Sequence, residues 1–156
     1  MSLRTVAARE EIAPASDAVR ADEFRAALEQ TLELAESDQR IGPMLAASKL
    51  RMRFRFPDSG LELNIAAGEA EGEGGGRNLS WSFGDVDWTP KLELTMESAV
   101  ANRFLQGRES LAIAIARGRA RYRGESHGAL LGLPATRLLC EPYREVVRSG
   151  FPELAR

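Results

Sequence analysis

Between residues 49 and 56 charged and apolar side chains alternate without a break: Lys49, Arg51, Arg53 and Arg55 are interleaved with Leu50, Met52, Phe54 and Phe56. A period of two puts one set on each face, so Lys49–Phe56 predicts a strand with one face in a core and one in water. Pro57-Asp58-Ser59-Gly60 is turn chemistry, and Leu61, Leu63 and Ile65 alternate again beyond it. The two runs predict a hairpin in which outward Arg51 and Arg53 lie across from Glu62. Leu79, Trp81 and Phe83 mark a third strand face, and Leu92, Leu94 and Met96 a fourth after a turn over Gly84–Pro90. Arg119–Arg123 predicts a fifth, with Ala120 and Tyr122 pointing inward.

Helical spacing appears in four places. With Ser16 as N-cap, Phe24, Leu28, Thr31 and Leu34/Ala35 fall on one face of a helix ending near Asp38. Gly42-Pro43 breaks the chain before a short helical turn over Met44–Ala47. Ser98–Gln106 reads as a helix closed by Gly107. His127–Val147 is apolar and helical in pattern, interrupted by Pro134 and Pro142. Glu109–Arg117 stays ambiguous from its residues: Leu111, Ile113 and Ile115 alternate as in a strand, but the intervening alanines favour helix. The expected organisation is a flexible lead-in over 1–16, a single domain over 17–148 and a C-terminal tail over 149–156.

The chain has 156 residues, enough for one domain that buries roughly 70% of its unfolded surface. A net charge of −2 supplies no basic field of the kind nucleic-acid binders show, and no nucleic-acid partner is expected. One cysteine, Cys140, permits no intrachain disulfide. The first sixteen residues lack the apolar core of a secretory signal, and no window nears the roughly 18 consecutive apolar residues of a membrane span. A cytoplasmic protein without integral membrane insertion is the expectation.

Candidate chemistry is sparse. The glycines of Gly72-Glu73-Gly74-Gly75-Gly76 alternate with acid and lead into a strand rather than a helix, so they read as a solvated loop and not a phosphate cradle. Asp85 and Asp87 are spaced to share one side of a strand end, but sit in a turn-like Gly-Asp-Val-Asp-Trp-Thr-Pro segment. His127 is the only histidine, and no serine, cysteine and acid constellation converges on it in sequence. One His and one Cys fall short of a zinc site. Cys140, among Leu138, Leu139 and Tyr143, reads as an inert buried thiol. Arg117, Arg119, Arg121 and Arg123 form a stripe that could meet anionic headgroups or a protein; a solvated sheet face is the simpler reading. No metal or cofactor is expected.

What stands out is apolar surplus within a recognisable order. Leu94-Thr95-Met96-Glu97-Ser98, a helix closed by Gly107-Arg108, an apolar segment, Gly118-Arg119-x-Arg121-x-x-Gly124 and the Leu130–Leu139 run follow one another. This order resembles the lipid-binding domains of the sterol carrier protein 2 family over most of residues 17–147, with arginine where the family pattern carries lysine. The resemblance implies an α+β fold: a mainly antiparallel five-stranded sheet with helices packed on one face, and a helix over the ambiguous Glu109–Arg117. It also implies an apolar tunnel that takes a lipid without doing chemistry on it. Phe104, Leu111, Ile113, Ile115, Leu130, Leu133 and Leu138 would line its helix side, Met96 and Tyr122 its sheet side, and a Trp at position 113 would block uptake. The implied function is non-enzymatic binding or transfer of a lipid or other hydrophobic small molecule. The alternatives are a ligand-free interaction or dimerisation module on the same fold, a homodimer being possible, and a small enzyme using His127 or the Asp85/Asp87 pair.

Overall fold

The computed structural model describes residues 19–68, 77–124 and 133–156. The strand expectations translate into β1 (Arg51–Phe56), β2 (Leu61–Ala67), β3 (Leu79–Ser82), β4 (Leu92–Met96) and β5 (Ala120–Gly124). They form one sheet in the order β3-β2-β1-β4-β5. Three of its pairings are antiparallel, and the central β1–β4 pair is parallel. The helices are α1 (Ala21–Ser37), α2 (Ile41–Ser48), α3 (Ser98–Leu105), α4 (Leu111–Ala116), α5 (Cys140–Gly150) and α6 (Pro152–Ala155). A helical turn over residues 133–136 and a 3-10 turn, Arg137–Leu139, lead into α5. The fold is therefore α+β with a mostly antiparallel sheet.

Register shows why the two sheet faces differ. Met52, Phe54 and Phe56 pair with Ile65, Leu63 and Leu61, and Leu94 pairs with Phe54 on the other side. All share the face that the helices cover, and all but Leu61 are nearly inaccessible. Opposite them lies a polar ladder. Arg55, not Arg51 or Arg53, faces Glu62, because the hairpin register aligns Arg53 with Asn64 and Arg51 with Ala66. Arg53 Nε donates to Asn64 Oδ1 (2.7 Å), and Arg55 Nε lies 3.0 Å from Glu93 and 3.3 Å from Glu62. β3 and β4 both run parallel to β1, so the chain between them must return along the sheet. Asn64 Nδ2 donates to the Gly84 carbonyl (2.9 Å), which ties the start of that return to the ladder face and helps bury Asn64 there.

Several helix ends differ from expectation for local reasons. α1 buries Phe24, Ala27, Leu28, Thr31, Leu32 and Ala35, so Leu32 and not Leu34 continues the stripe. Its N-cap is Arg20, and Ser16 lies outside the described residues. Gly42-Pro43 does not break the chain: α2 runs through it, because a proline in the first turn sacrifices no intrahelical bond. Asp38 instead starts α2, accepting from the backbone N–H of Ile41 (2.7 Å) and Arg40 (2.8 Å). Those two donors hold its carboxyl below the usual carboxylate range.

α3 has no side-chain cap of its own. Asp58, from the β1–β2 turn, accepts from Ser98 N (2.9 Å) and Ser98 Oγ (3.2 Å) and does that work from forty residues away. Asp58→Ala is expected to cost about 1 kcal/mol, as loss of an N-cap does. The check is a thermal midpoint about 2–4 °C lower.

Toward the other end of α3, Asn102 is 7% exposed and takes three partners, one of them Gln106 Nε2, which donates to its Oδ1 (3.0 Å). It accepts from the Tyr143 hydroxyl (2.7 Å) and donates to the Leu154 carbonyl (3.0 Å). Burial pushes the Tyr143 phenol far above its ordinary pKa, so it remains a donor at any physiological pH. The expected tail thus contains α6, whose Leu154 is buried and has its carbonyl tied to α3 through Asn102.

Candidate functional site

The chain turns sharply after α3 at Gly107, whose φ of +79° is left-handed and suits glycine. A Cβ there would stand 3.0 Å from Arg144 Nη1, so glycine also lets the α5 guanidinium approach the end of α3. α4 starts where Ser110 Oγ accepts from Ile113 N (3.0 Å). Its opposite wall is built by residues 133–136, the 3-10 turn and the first turns of α5. Between the walls lies an open cleft of about 820 Å³.

The cleft has a mainly apolar lining with a few charged groups in it. Phe104, Leu111, Ala112, Ile115, Leu133 and Pro134 supply apolar surface. Arg137 and Arg144 are exposed guanidinium groups of the α5 wall, and Cys140 lies between them in sequence. On the other wall Glu109 receives Arg103 Nε (3.2 Å) and is also bonded by the Arg119 guanidinium. The carboxylate is therefore neutralised from both sides, and the turn between α3 and α4 is clamped to the start of β5.

Cys140 Sγ lies 3.6 Å from the Phe104 carbonyl. Burial raises its thiol pKa, only partly opposed by Arg144 and Arg137. The thiol is the form that suits this site. Its contribution to stability is complete below the unfolded thiol pKa of about 8.5 and is lost as pH rises through the higher folded value. Alkylation of Cys140 near pH 8.5 is expected to be several-fold slower in the folded protein than in urea; equal rates would refute this placement.

The space between α1 and the sheet is nearly full. Leu28, Leu32, Phe54, Phe56, Leu63, Ile65, Leu105 and Leu139 surround a void of about 10 Å³, no more than a single water needs. Cleft and void are separate: one opens to solvent beside α4, the other is a packing gap in the core.

Of the residues expected to line a ligand site, Phe104, Leu111, Ile115 and Leu133 come together in the cleft. Met96 is fully buried in the core, and Leu138 packs partly buried against that core. Ile113 is 47% and Tyr122 48% exposed, and neither lines the cleft. Leu130 and His127 lie outside the described residues, as does the glycine loop over 69–76. Asp85 and Asp87 are exposed and stand outside the cleft, as do Trp81 and Trp88. Among the described residues no group of three or more His, Cys, Asp or Glu could hold a metal ion. No helix among them is long and apolar enough to cross a membrane.

No protein-family profile and no curated protein matches the chain. Solved structures do. The ubiquinone synthesis protein UbiJ-SCP2 is 12% identical and superposes with a TM-score of 0.54, covering 80% of this chain and 99% of that one. This chain has the sterol carrier protein 2 fold. A crystal structure of sterol carrier protein 2 itself is 13% identical over 77% of this chain and 95% of that one, TM-score 0.49. The sec-alkylsulfatase Pisa1 from Pseudomonas sp. gives 14% identity and 0.46 over 59% of this chain. The chain spans only 14% of that enzyme's length. Neither of these last two likenesses adds weight to the fold assignment.

On this sterol carrier protein 2 fold, the polar cleft residues are what sequence reasoning missed. Arg137, Cys140 and Arg144 are spaced by three and four, which places them on one helical face, and that spacing was available to find them. Glu109 carried no comparable signal: only the fold brings it to Arg103 and Arg119.

Proposed function

We propose that the protein is a non-enzymatic, cytoplasmic binder of a lipid or other hydrophobic small molecule, which it takes into the cleft between α4 and α5. The observation that carries this reading is the cleft itself. At about 820 Å³, with a mainly apolar lining and a few charged groups, it has the size and lining of a small-molecule site. Each methylene removed from water there contributes about 0.8 kcal/mol. Arg137 and Arg144 would orient a polar or anionic end. A chemical role for the protein has less support: the Glu109 carboxylate is tied up by two arginines, and Cys140 is held as a thiol.

The site proposed is the open cleft rather than a tunnel through the core. Phe104, Leu111, Ile115 and Leu133 are its apolar contacts. The UbiJ-SCP2 likeness supports a carrier role in so far as its fold is shared; its place in ubiquinone synthesis belongs to that protein. A second reading, a ligand-free interaction or dimerisation module, is favoured by one observation, the filled space between α1 and the sheet.

Native mass spectrometry of freshly purified protein, followed by solvent extraction, separates the two. A stoichiometric co-purifying lipid whose removal speeds Cys140 alkylation supports the carrier. Absence of any adduct, with no uptake from a panel of fatty acids and sterols, supports the closed module.

A further inference from the structure

Three charged side chains line the cleft among the described residues, and they are not equivalent. Glu109, on the α4 side, is 9% exposed and is held by both Arg103 and Arg119. Arg137 and Arg144, on the opposite wall, are exposed and have neither an ion pair nor a hydrogen-bond acceptor among the described residues. The carboxylates close to them in sequence face other cations: Glu141 lies 3.0 Å from Arg40, and Glu145 lies 3.9 Å from Arg148. Glu109, its two arginines and this unpaired couple together carry +3, in a chain whose net charge is −2.

The two unpaired guanidiniums act on the same part of the cleft. A Cβ on Gly107 would meet Arg144 Nη1 at 3.0 Å, so that guanidinium reaches over to the end of α3. Arg144 and Arg137 both oppose the rise that burial imposes on the Cys140 thiol, so both charges are felt at Cys140 in the lining. The uncharged polar side chains of the lining are already used. Ser110 Oγ accepts from Ile113 N (3.0 Å), and Cys140 Sγ is directed at the Phe104 carbonyl (3.6 Å). The side chains therefore offer a ligand free donors and no free acceptor, because a guanidinium donates and cannot accept. A hydroxyl head, which both donates and accepts, would be matched on one count only. An oxyanion only accepts, and its planar or tetrahedral oxygens suit the guanidinium fork.

We infer that the cleft selects amphiphiles with an oxyanion head, a carboxylate or a phosphate, over neutral ones, and that Arg137 and Arg144 determine this selectivity. The inference rests on the carrier reading of the cleft and narrows its ligand class. A neutral ligand of the same shape would cover the two guanidiniums without pairing them, and partly dehydrating an unpaired charge opposes binding. An anionic ligand turns the same contact into an attraction.

Isothermal titration calorimetry of the full chain at neutral pH with decanoate, decyl phosphate and 1-decanol tests this, since the three share a tail and differ in the head. Both anions are expected to bind about tenfold more tightly than decanol, because each exposed guanidinium–oxyanion contact adds up to about fivefold. The tighter of the two anions names the head, and either order supports the proposal. In Arg137→Gln/Arg144→Gln the ratio of anion to decanol affinity should fall to about one. In Arg137→Glu/Arg144→Glu the preference should pass to decylammonium. Arg148→Gln removes a charge from α5 outside the cleft and should keep the wild-type ratio. All three arginines are exposed, so the thermal midpoints should stay close to wild type. Decanol binding as tightly as the anions overturns the proposal and leaves the carrier reading standing. So does a preference that survives in the double glutamine variant, or one that Arg148→Gln abolishes equally. Wild-type protein that binds none of the three overturns the carrier reading, and this proposal with it.

Discussion

Phe24→Ala is expected to destabilise the protein by about 3–5 kcal/mol, the usual cost of removing a buried aromatic ring. Phe24 is fully buried in α1. Its ring meets Phe56 edge-on at 5.1 Å between centroids and Tyr143 at 6.5 Å. One side chain therefore joins three elements, α1, the sheet and α5, and truncation leaves a cavity that all three would have to collapse to fill. The neighbouring void is already only about 10 Å³, so the surrounding core has little slack with which to relax. Equilibrium urea unfolding should show a lower midpoint with little change in slope. Leu34→Ala, on the same helix but 37% exposed, should stay within about 0.5 kcal/mol of wild type. Similar losses from both would mean that α1 does not sit on the sheet by the face described.

The same pair of residues shows what the chain made legible. On α1 the spacing of Phe24, Leu28 and Thr31 identified the helix, but Leu34 and Leu32 compete for its next position, and only packing on the sheet selects Leu32. Strands were easier to read, because β1 and β4 alternate strictly and their inward sets are all buried. Register was not legible. Whether Glu62 meets Arg53 or Arg55 depends on how the turn at residues 57–60 closes, and composition does not decide that. The parallel β1–β4 pairing, between strands far apart in sequence, leaves no local trace at all.

For the candidate site the difficulty was period. Leu111, Ile113 and Ile115 look equivalent if every second residue is counted. On a helix successive residues turn by about 100°, so Leu111, Ala114 and Ile115 share a face while Ile113 points away. The structure follows the helical count: Leu111 and Ala114 are buried, Ile115 lines the cleft, and Ile113 is exposed. Tyr122 lies outside the cleft for a different reason. It pairs with Leu94 and so has the inward parity, but β5 is the last strand of the sheet and its inward side is less covered. Met96 has both the parity and the cover, and so is consumed by the core.

That geometry gives the sharpest test of the cleft. Ile115→Asp is expected to weaken binding of a hydrophobic probe by about a hundredfold, while Ile113→Asp should leave binding from solution unchanged. Without ligand, an aspartate at 115 faces a cleft open to solvent and can stay hydrated. With ligand, the same carboxylate would lie against hydrocarbon, and removing a charge from water without a partner is opposed by several kcal/mol. The larger cost thus falls on the bound state, as a loss of affinity, and the thermal midpoint reads what the fold loses where Ile115 packs against the core. Arg117 lies on the exposed side of the α4 end and Arg119 is committed to Glu109, so the cations that face the new carboxylate are Arg137 and Arg144 of the opposite wall; pairing with either also removes it from the anionic end of a ligand and so adds to the loss of affinity. Ile113→Asp carries the same charge two residues away on the same helix and controls for helix propensity and net charge. The measurement is titration of a fluorescent fatty-acid probe added from solvent, with no vesicles present, alongside a thermal midpoint for each variant. Equal loss in both variants would move the site away from the cleft. No loss in a folded Ile115→Asp variant would leave the cleft unoccupied by any apolar ligand and shift the balance to the interaction module.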